Sequence, residues 1–296
     1  MKKLNLSGSY VALVTPFKDD QVDEERIKKL VEFHVESGTD GIVPCGTTGE
    51  SPTLTHEEHE RVIDVVVQAV GGRMFVLAGT GSNCTAEAIQ LTKSAVKAGA
   101  DGCLIVTPYY NRPSQEGLFL YYKAIAEEVD AALVPYSIEG RTGVNMMPEL
   151  VQRLTEACPN IVGIKEASGN LNQMSQIIRF TRPDFQLTSG DDSLTLPVMA
   201  IGGVGVISVL GNICPLVTSE MVTAFRNNNI VRARELHYKY WDLMRALFVE
   251  TNPVPVKTAM GLLGLCSPEV RGPLCHLTQV SRNKLCEAMR RLELFH

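Results

Sequence analysis

Lys165 is the residue of this chain best placed to do covalent chemistry. It closes the apolar run Ile161-Val162-Gly163-Ile164. A lysine at the end of such a run sits where water is scarce. Burial there disfavours the ammonium form, lowers the pKa and leaves an amine that can attack a carbonyl. The plainer alternative is a lysine neutralised by a neighbouring acid, Glu166 or Asp191. Lys18, in a loop, and Lys257, in a Pro-rich approach to a helix, are weaker candidates. Tyr136 ends another apolar run, and its phenol could move protons for a carbonyl held on Lys165. A core tyrosine with a satisfied hydroxyl is the commoner fate of that residue type. The turn Gly46-Thr47-Thr48-Gly49-Glu50 offers backbone N–H groups and two hydroxyls, which suits a small carboxylate or oxyanion.

The stretch His56-Glu57-Glu58-His59 invites a metal reading. A zinc-binding helix of the His-Glu-x-x-His type needs its histidines four apart, and here they are three apart. No third ligand is evident, so a solvated first helical turn is preferred. The eight cysteines are scattered without a Cys-x-x-Cys pair, and are expected to be free thiols, mostly buried. No metal and no phosphate-binding loop is expected.

These side chains must be positioned by a scaffold, and the scaffold repeats. Short runs rich in Val, Ile and Leu recur over residues 10–14, 41–44, 74–78, 102–106, 131–136, 161–164, 185–188 and 205–209. They lack polar alternation, as strands buried on both faces of a parallel sheet do. Segments of helical period separate them, for example 24–36, 57–69, 86–98, 117–127, 148–156 and 171–180. Thr55 and Glu58 form a capping box ahead of one. Eight strands alternating with helices predict an α/β fold, a (β/α)8 TIM barrel over residues 1–228. An open doubly wound sheet is the rival, and the lack of a Gly-x-Gly-x-x-Gly turn after the first run speaks against it. Residues 229–296 read as a C-terminal helical extension. Hydroxyls, amides and charges gather just after the apolar runs, at the barrel face where such folds place their active sites.

The bulk numbers narrow the partners. A net charge of -5 over 296 residues gives no basic surface for nucleic acid. No apolar run is long enough to cross a bilayer, and Met1–Gly8 lacks a signal-peptide apolar region. A cytoplasmic enzyme is expected.

Four stretches then carry a resemblance: Gly46–Glu50, Pro108-Tyr109-Tyr110-Asn111-Arg112-Pro113, Tyr136 with Arg141-Thr142-Gly143, and Gly163-Ile164-Lys165-Glu166-Ala167. In order and spacing the chain resembles the pyruvate-dependent Schiff-base lyase family, essentially end to end. The resemblance implies that Lys165 forms an imine with pyruvate, whose carboxylate rests on Thr47 and Thr48 with Ile207 nearby. It implies a proton relay of Tyr136, Thr47 and Tyr110, with Tyr110 supplied by a neighbouring subunit. It implies no cofactor, and a homo-oligomer built from a tight dimer, as a rule a tetramer. Arg141 would hold the carboxylate of the second substrate, aspartate semialdehyde, in lysine and diaminopimelate synthesis. It further implies feedback inhibition by L-lysine at a dimer-interface pocket of Ser51, His56, His59, Asn83, Glu87 and Tyr109.

A sister branch, the N-acetylneuraminate lyases, has Ser at the position of Thr47 and Phe-Thr after the lysine. Thr47 and Glu166-Ala167 point away from it. A barrel without catalysis is a further reading, and the presence of Lys165 and Tyr136 weighs against it. One departure from the family pattern is Ser137-Ile138-Glu139-Gly140 before Arg141. Glu139 stands where a proline is expected, so the loop geometry and the substrate preference are both open to change.

Overall fold

In the computed structural model, which describes residues 4–295, the apolar runs pair side by side into a closed eight-stranded parallel barrel. The strands are β1 (Gly8–Ala12), β2 (Gly41–Val43), β3 (Phe75–Gly79), β4 (Gly102–Val106), β5 (Ala132–Ser137), β6 (Gly163–Glu166), β7 (Gln186–Ser189) and β8 (Gly205–Ser208). Each pairs with its sequence neighbour, and β1 closes the ring against β8. Met1–Lys3, part of the N-terminal stretch read above, and His296 lie outside the described residues.

Eight helices follow the strands: α1 (Glu24–Glu36), α2 (His56–Val70), α3 (Thr85–Ala98), α4 (Gln115–Glu128), α5 (Pro148–Ala157), α6 (Leu171–Phe180), α7 (Thr195–Ala200) and α8 (Pro215–Arg226). The Thr55–Glu58 capping box forms as expected at the start of α2. A small hairpin, Phe17–Lys18 with Gln21–Val22, has no counterpart in the sequence reading. Its two turn residues, Asp19 and Asp20, both adopt left-handed φ values of 52° and 61°. Three helices complete the chain: α9 (Ile230–Ala246), α10 (Val254–Leu262) and α11 (Gln279–Arg291).

Two apolar layers hold this together. Inside the barrel, Leu4, Leu6, Tyr10, Leu77, Leu104 and Ile207 fill the space with side chains. Outside, strand residues meet the inner faces of the helices, and Val31, Val66 and Ile125 share one cluster with Leu236, Met244 and Met289 of the C-terminal helices. The apolar area removed from water in these layers is the main favourable term for the fold. The backbone polar groups of the strands are satisfied around the ring, which leaves no open sheet edge.

Candidate active site

The barrel register builds the site. Tyr136 of β5 pairs with Lys165 of β6, which pairs with Thr188 of β7. Registered residues of neighbouring parallel strands share a face, so the three side chains stand in one row at the barrel mouth. Lys165 Nζ lies 4.1 Å from the centre of the Tyr136 ring. Gly190 makes room for the lysine: a Cβ there would come 3.0 Å from Lys165 Cε and 2.7 Å from Ala167 Cβ.

Lys165 is 6% exposed, and burial is the main cause that brings its pKa down from 10.5 to about 7. The Arg141 cation lowers it further, while the Asp192 carboxylate acts in the opposite direction. The neutralising partners considered from the sequence are occupied elsewhere. Glu166 accepts from Ser168 N at 2.6 Å and from Gln173 Nε2 at 2.6 Å. Asp191 accepts from the backbone and hydroxyl of Ser193 at 2.8 and 2.7 Å. The influential acid is Asp192, one position on. It is buried, and it accepts from Ser208 Oγ at 2.5 Å and from the backbone N–H groups of Val209 and Leu210.

Burial pushes the Tyr136 phenol up to about 12, with Arg141 and a hydrogen bond from Thr47 opposing the rise. Thr47 sits in the turn after β2. Gly49 N donates to Gly46 O at 3.1 Å and Glu50 N to Thr47 O at 3.1 Å, which closes the turn. Cys45 and Glu50, at its two ends, both have φ of 54°. Such left-handed backbone is strained for residues with a side chain, and it persists because the surroundings hold it. One support is Gly79, where a Cβ would lie 2.3 Å from Cys45 O, so only glycine lets the turn settle on β3. Another is Glu50 itself. Its side chain is fully buried against Lys257 Nζ at 2.5 Å, and it also accepts from Arg271 N at 3.0 Å. Lys257, set aside from the sequence as part of a helix approach, is thus a buried brace.

A pocket of about 230 Å³ opens beside Tyr136, lined among others by Thr47, Tyr136, Ile138, Arg141, Ser51 and Tyr109. Arg141 lies in a single helical turn, Glu139–Thr142, and Glu139 occupies its first position with an exposed side chain. Thr47, Tyr136 and Arg141 line this pocket, Lys165 is registered beside Tyr136, Ile207 shares an apolar cluster with Tyr136, and Thr48 follows Thr47 in the same turn. Tyr110 stands apart: it is 91% exposed, with φ of 73°.

The second group of candidates also assembles. His56 Nε2 lies 2.6 Å from Glu87 Oε1, and Ser82 Oγ donates to the other carboxylate oxygen. Those hydrogen bonds, Ser82 first, hold the Glu87 carboxyl below its ordinary value. Asn83 Nδ2 donates to Tyr109 O at 3.3 Å. His59 is buried under the group, and burial depresses its pKa; neither ring nitrogen makes a well-formed hydrogen bond, although the Gly79 backbone is within reach of the ring. Among the described residues, no cluster of three or more His, Cys, Asp or Glu side chains is placed to hold a metal ion. No helix among them is long and apolar enough to cross a membrane.

Sequence reasoning missed Asp192, Thr188, the Glu50–Lys257 pair and Asn252, whose Nδ2 donates to Thr48 Oγ1 at 3.0 Å. Asp192 has a signal in the polar residues that follow the seventh apolar run, and Glu50 and Lys257 each stand out in the sequence without any sign that they pair.

Comparison with known proteins agrees with this geometry. Residues 5–292 match the dihydrodipicolinate synthetase family. The 4-hydroxy-tetrahydrodipicolinate synthase of Syntrophus aciditrophicus (strain SB) is 55% identical over 283 residues, covering 96% of this chain and 97% of that protein. Among solved structures, the synthase of Cyanidioschyzon merolae with lysine bound superposes with a TM-score of 0.95 at 44% identity, covering 98% of this chain and 99% of that one. The dihydrodipicolinate synthase of Acinetobacter baumannii complexed with pyruvate gives 0.95 at 43% identity, covering 98% and 100%. With a matching barrel, a buried lysine at its mouth and identity of this extent, the chain belongs to the dihydrodipicolinate synthetase family, and it is an enzyme, a lyase.

Proposed function

We propose that the protein condenses pyruvate with L-aspartate 4-semialdehyde to give 4-hydroxy-tetrahydrodipicolinate, the first committed step toward lysine and diaminopimelate. The observation that carries this reading is Lys165, a buried amine with a pKa of about 7 set over the Tyr136 ring. In its neutral form the amine attacks the keto carbon of pyruvate, and water leaves to give an imine. The imine nitrogen draws electrons from the adjacent methyl group, which then loses a proton to give an enamine. The enamine carbon attacks the aldehyde of the second substrate.

Thr47 and Thr48 hold the pyruvate carboxylate through hydroxyls and backbone N–H groups, with Ile207 as an apolar wall. Arg141 takes the carboxylate of the semialdehyde through paired charge-assisted hydrogen bonds. Tyr136 and Thr47 pass protons at the reacting centre. An ordinary phenol is a poor base at neutral pH, so the Thr47 hydrogen bond and the nearby Arg141 cation are needed to help it ionise. Tyr110 completes the relay in a neighbouring copy of the chain, which accounts for its exposure here and makes a tight dimer the catalytic unit, paired into a tetramer. The barrel of residues 1–228 carries the chemistry, and the helical region of residues 229–296 buttresses it.

The group around Glu87 is the site of feedback inhibition by L-lysine. Glu87 accepts from the α-ammonium, Asn83 and Tyr109 donate to the carboxylate, and Ser51 with a lone pair of the His56 ring accepts from the side-chain ammonium. His59 packs beneath. Ser51 and Tyr109 line the same pocket as Thr47 and Tyr136, so a ligand there has a short physical path to the relay.

Borohydride reduction in the presence of pyruvate tests the covalent step. The expected result is a single adduct on the Lys165 peptide. An adduct on another lysine, or none, would remove the mechanism. Product identification with pyruvate and each candidate aldehyde separates this reaction from that of the N-acetylneuraminate lyases.

A further inference from the structure

Asn252 lies in the connection between α9 and α10, far in sequence from every residue discussed as substrate-binding, and it is 4% exposed. Its side chain and main chain serve different partners. Nδ2 donates to Thr48 Oγ1 at 3.0 Å, and the backbone carbonyl accepts from Arg141 Nη2 at 3.2 Å. Its Oδ1 is buried without a hydrogen-bond partner. One residue therefore touches both groups assigned to the carboxylates of the two substrates.

We propose that Asn252 is a positioning residue that presents the Thr48 hydroxyl proton to one substrate carboxylate and anchors the Arg141 guanidinium for the other. The inference rests on the carboxylate roles of Thr48 and Arg141 given above. A threonine hydroxyl has one proton to donate and two lone pairs. When the Asn252 amide donates into one lone pair, the hydroxyl proton is left for a second acceptor. The incoming N–H also polarises the hydroxyl and strengthens it as a donor. Arg141 is long and exposed, so fixing it at the moment of binding would cost side-chain entropy. Spending one of its five N–H groups on the Asn252 carbonyl fixes it beforehand and leaves the others for the ligand. The C-terminal region, which contributes no reacting atom, thereby sets both anion sites from a single backbone position.

The two roles can be cut apart. Asn252→Ala removes the bond to Thr48 and keeps the carbonyl that holds Arg141. It should raise the pyruvate concentration giving half-maximal borohydride trapping by about three- to tenfold, as expected for one lost hydrogen bond. The KM for the semialdehyde should stay within about twofold, the range of a change that touches nothing else. Asn252→Asp puts an acceptor where the donor stood. It captures the Thr48 proton and adds a negative charge beside a bound anion, so trapping should weaken by more than about tenfold. In a Thr48→Val background, Asn252→Ala should have no further effect on pyruvate, a coupling that general loosening of the structure would not produce. Should the alanine variant be unstable on heating, Asn252→Ser gives the same comparison with a polar side chain.

Unchanged pyruvate dependence in Asn252→Ala, or full additivity with Thr48→Val, overturns the inference. So does an Asn252→Asp variant that traps pyruvate as well as the parent, because the amide oxygen would then be the atom facing Thr48. Failure of the parent protein itself to trap pyruvate would overturn the reaction reading, and this inference with it.

Discussion

Replacing Lys165 by Met separates the two consequences of burying an amine at the barrel mouth: the chemistry is lost, and a folding penalty is lifted. The amine falls from its ordinary 10.5 to about 7 in the folded protein, chiefly through burial. A difference of that size corresponds to about 5 kcal/mol between the charged and neutral forms. Below pH 7 the lysine is protonated in both the folded and the unfolded chain, and the fold carries the full cost of a buried cation. Between pH 7 and 10.5 the unfolded chain binds more protons than the folded one, so stability rises with pH. Above 10.5 the cost is gone. Methionine has a similar length and no charge. Lys165→Met is therefore expected to be more stable than the parent by about 5 kcal/mol near pH 6 and by about 2 kcal/mol near pH 9, with a constant packing difference added at every pH. Urea unfolding of both proteins at matched concentration measures this, since oligomerisation makes stability concentration-dependent. A stability difference that does not change with pH, or one that grows as pH rises, would refute the reasoning. The same titration governs imine formation in the parent, whose rate should climb with pH and level off above about 7 as the free amine becomes the dominant form.

Tyr136→Phe should lower kcat by about two orders of magnitude or more, the range of general acid–base effects, while borohydride still traps pyruvate on Lys165; near-parental turnover would take Tyr136 out of the proton path. Lys257→Met leaves Glu50 buried without its cation and should cost about 3–5 kcal/mol in urea unfolding, a penalty typical of a broken buried ion pair. A loss below about 1 kcal/mol, the worth of a surface pair, would mean that water or another group replaces the lysine. L-Lysine should inhibit the parent at millimolar concentration and bind it in calorimetry, with both effects lost in Glu87→Ala; full activity and no heat with the parent would remove the regulatory site.

The barrel was legible because strands buried on both faces cannot alternate in polarity. Runs such as Gly102–Val106 announce themselves and coincide with the strand observed. Hydropathy misplaces a strand's limits where hydrogen bonding sets them. The sixth strand read as Ile161–Ile164, but the observed strand is Gly163–Glu166, with Ile161 making only an isolated bridge to Leu133. Lys165 and Glu166 belong to the strand because their backbones pair with Thr188 and Ser189, which hydropathy does not record. The hairpin at Phe17–Val22 escaped for a related reason. Two residues per strand make no pattern, and a turn of two aspartates in left-handed backbone lacks the glycine that signals such turns.

The two buried lysines show why a sequence can rank a nucleophile only provisionally. Lys165 and Lys257 are both buried, and each ammonium lies 4.1 Å from the centre of an aromatic ring, Tyr136 and Phe17 respectively. Burial lowers the pKa of both. What differs is the partner. Lys257 donates to Glu50 Oε1 at 2.5 Å and to Glu269 O at 2.7 Å, so its cation is compensated and its nitrogen is occupied. Among the described residues no salt bridge pairs Lys165 with a carboxylate, and the acid that acts on it, Asp192, is engaged by Ser208 and two backbone N–H groups. An amine without a close counter-ion gives up its proton near neutral pH, whereas one locked to a carboxylate keeps it. The decisive neighbour of Lys257 stands 207 positions away in the chain. No local window could have contained it, and it is the closing of the barrel against the C-terminal helices that makes one lysine a brace while the other stays without a counter-ion.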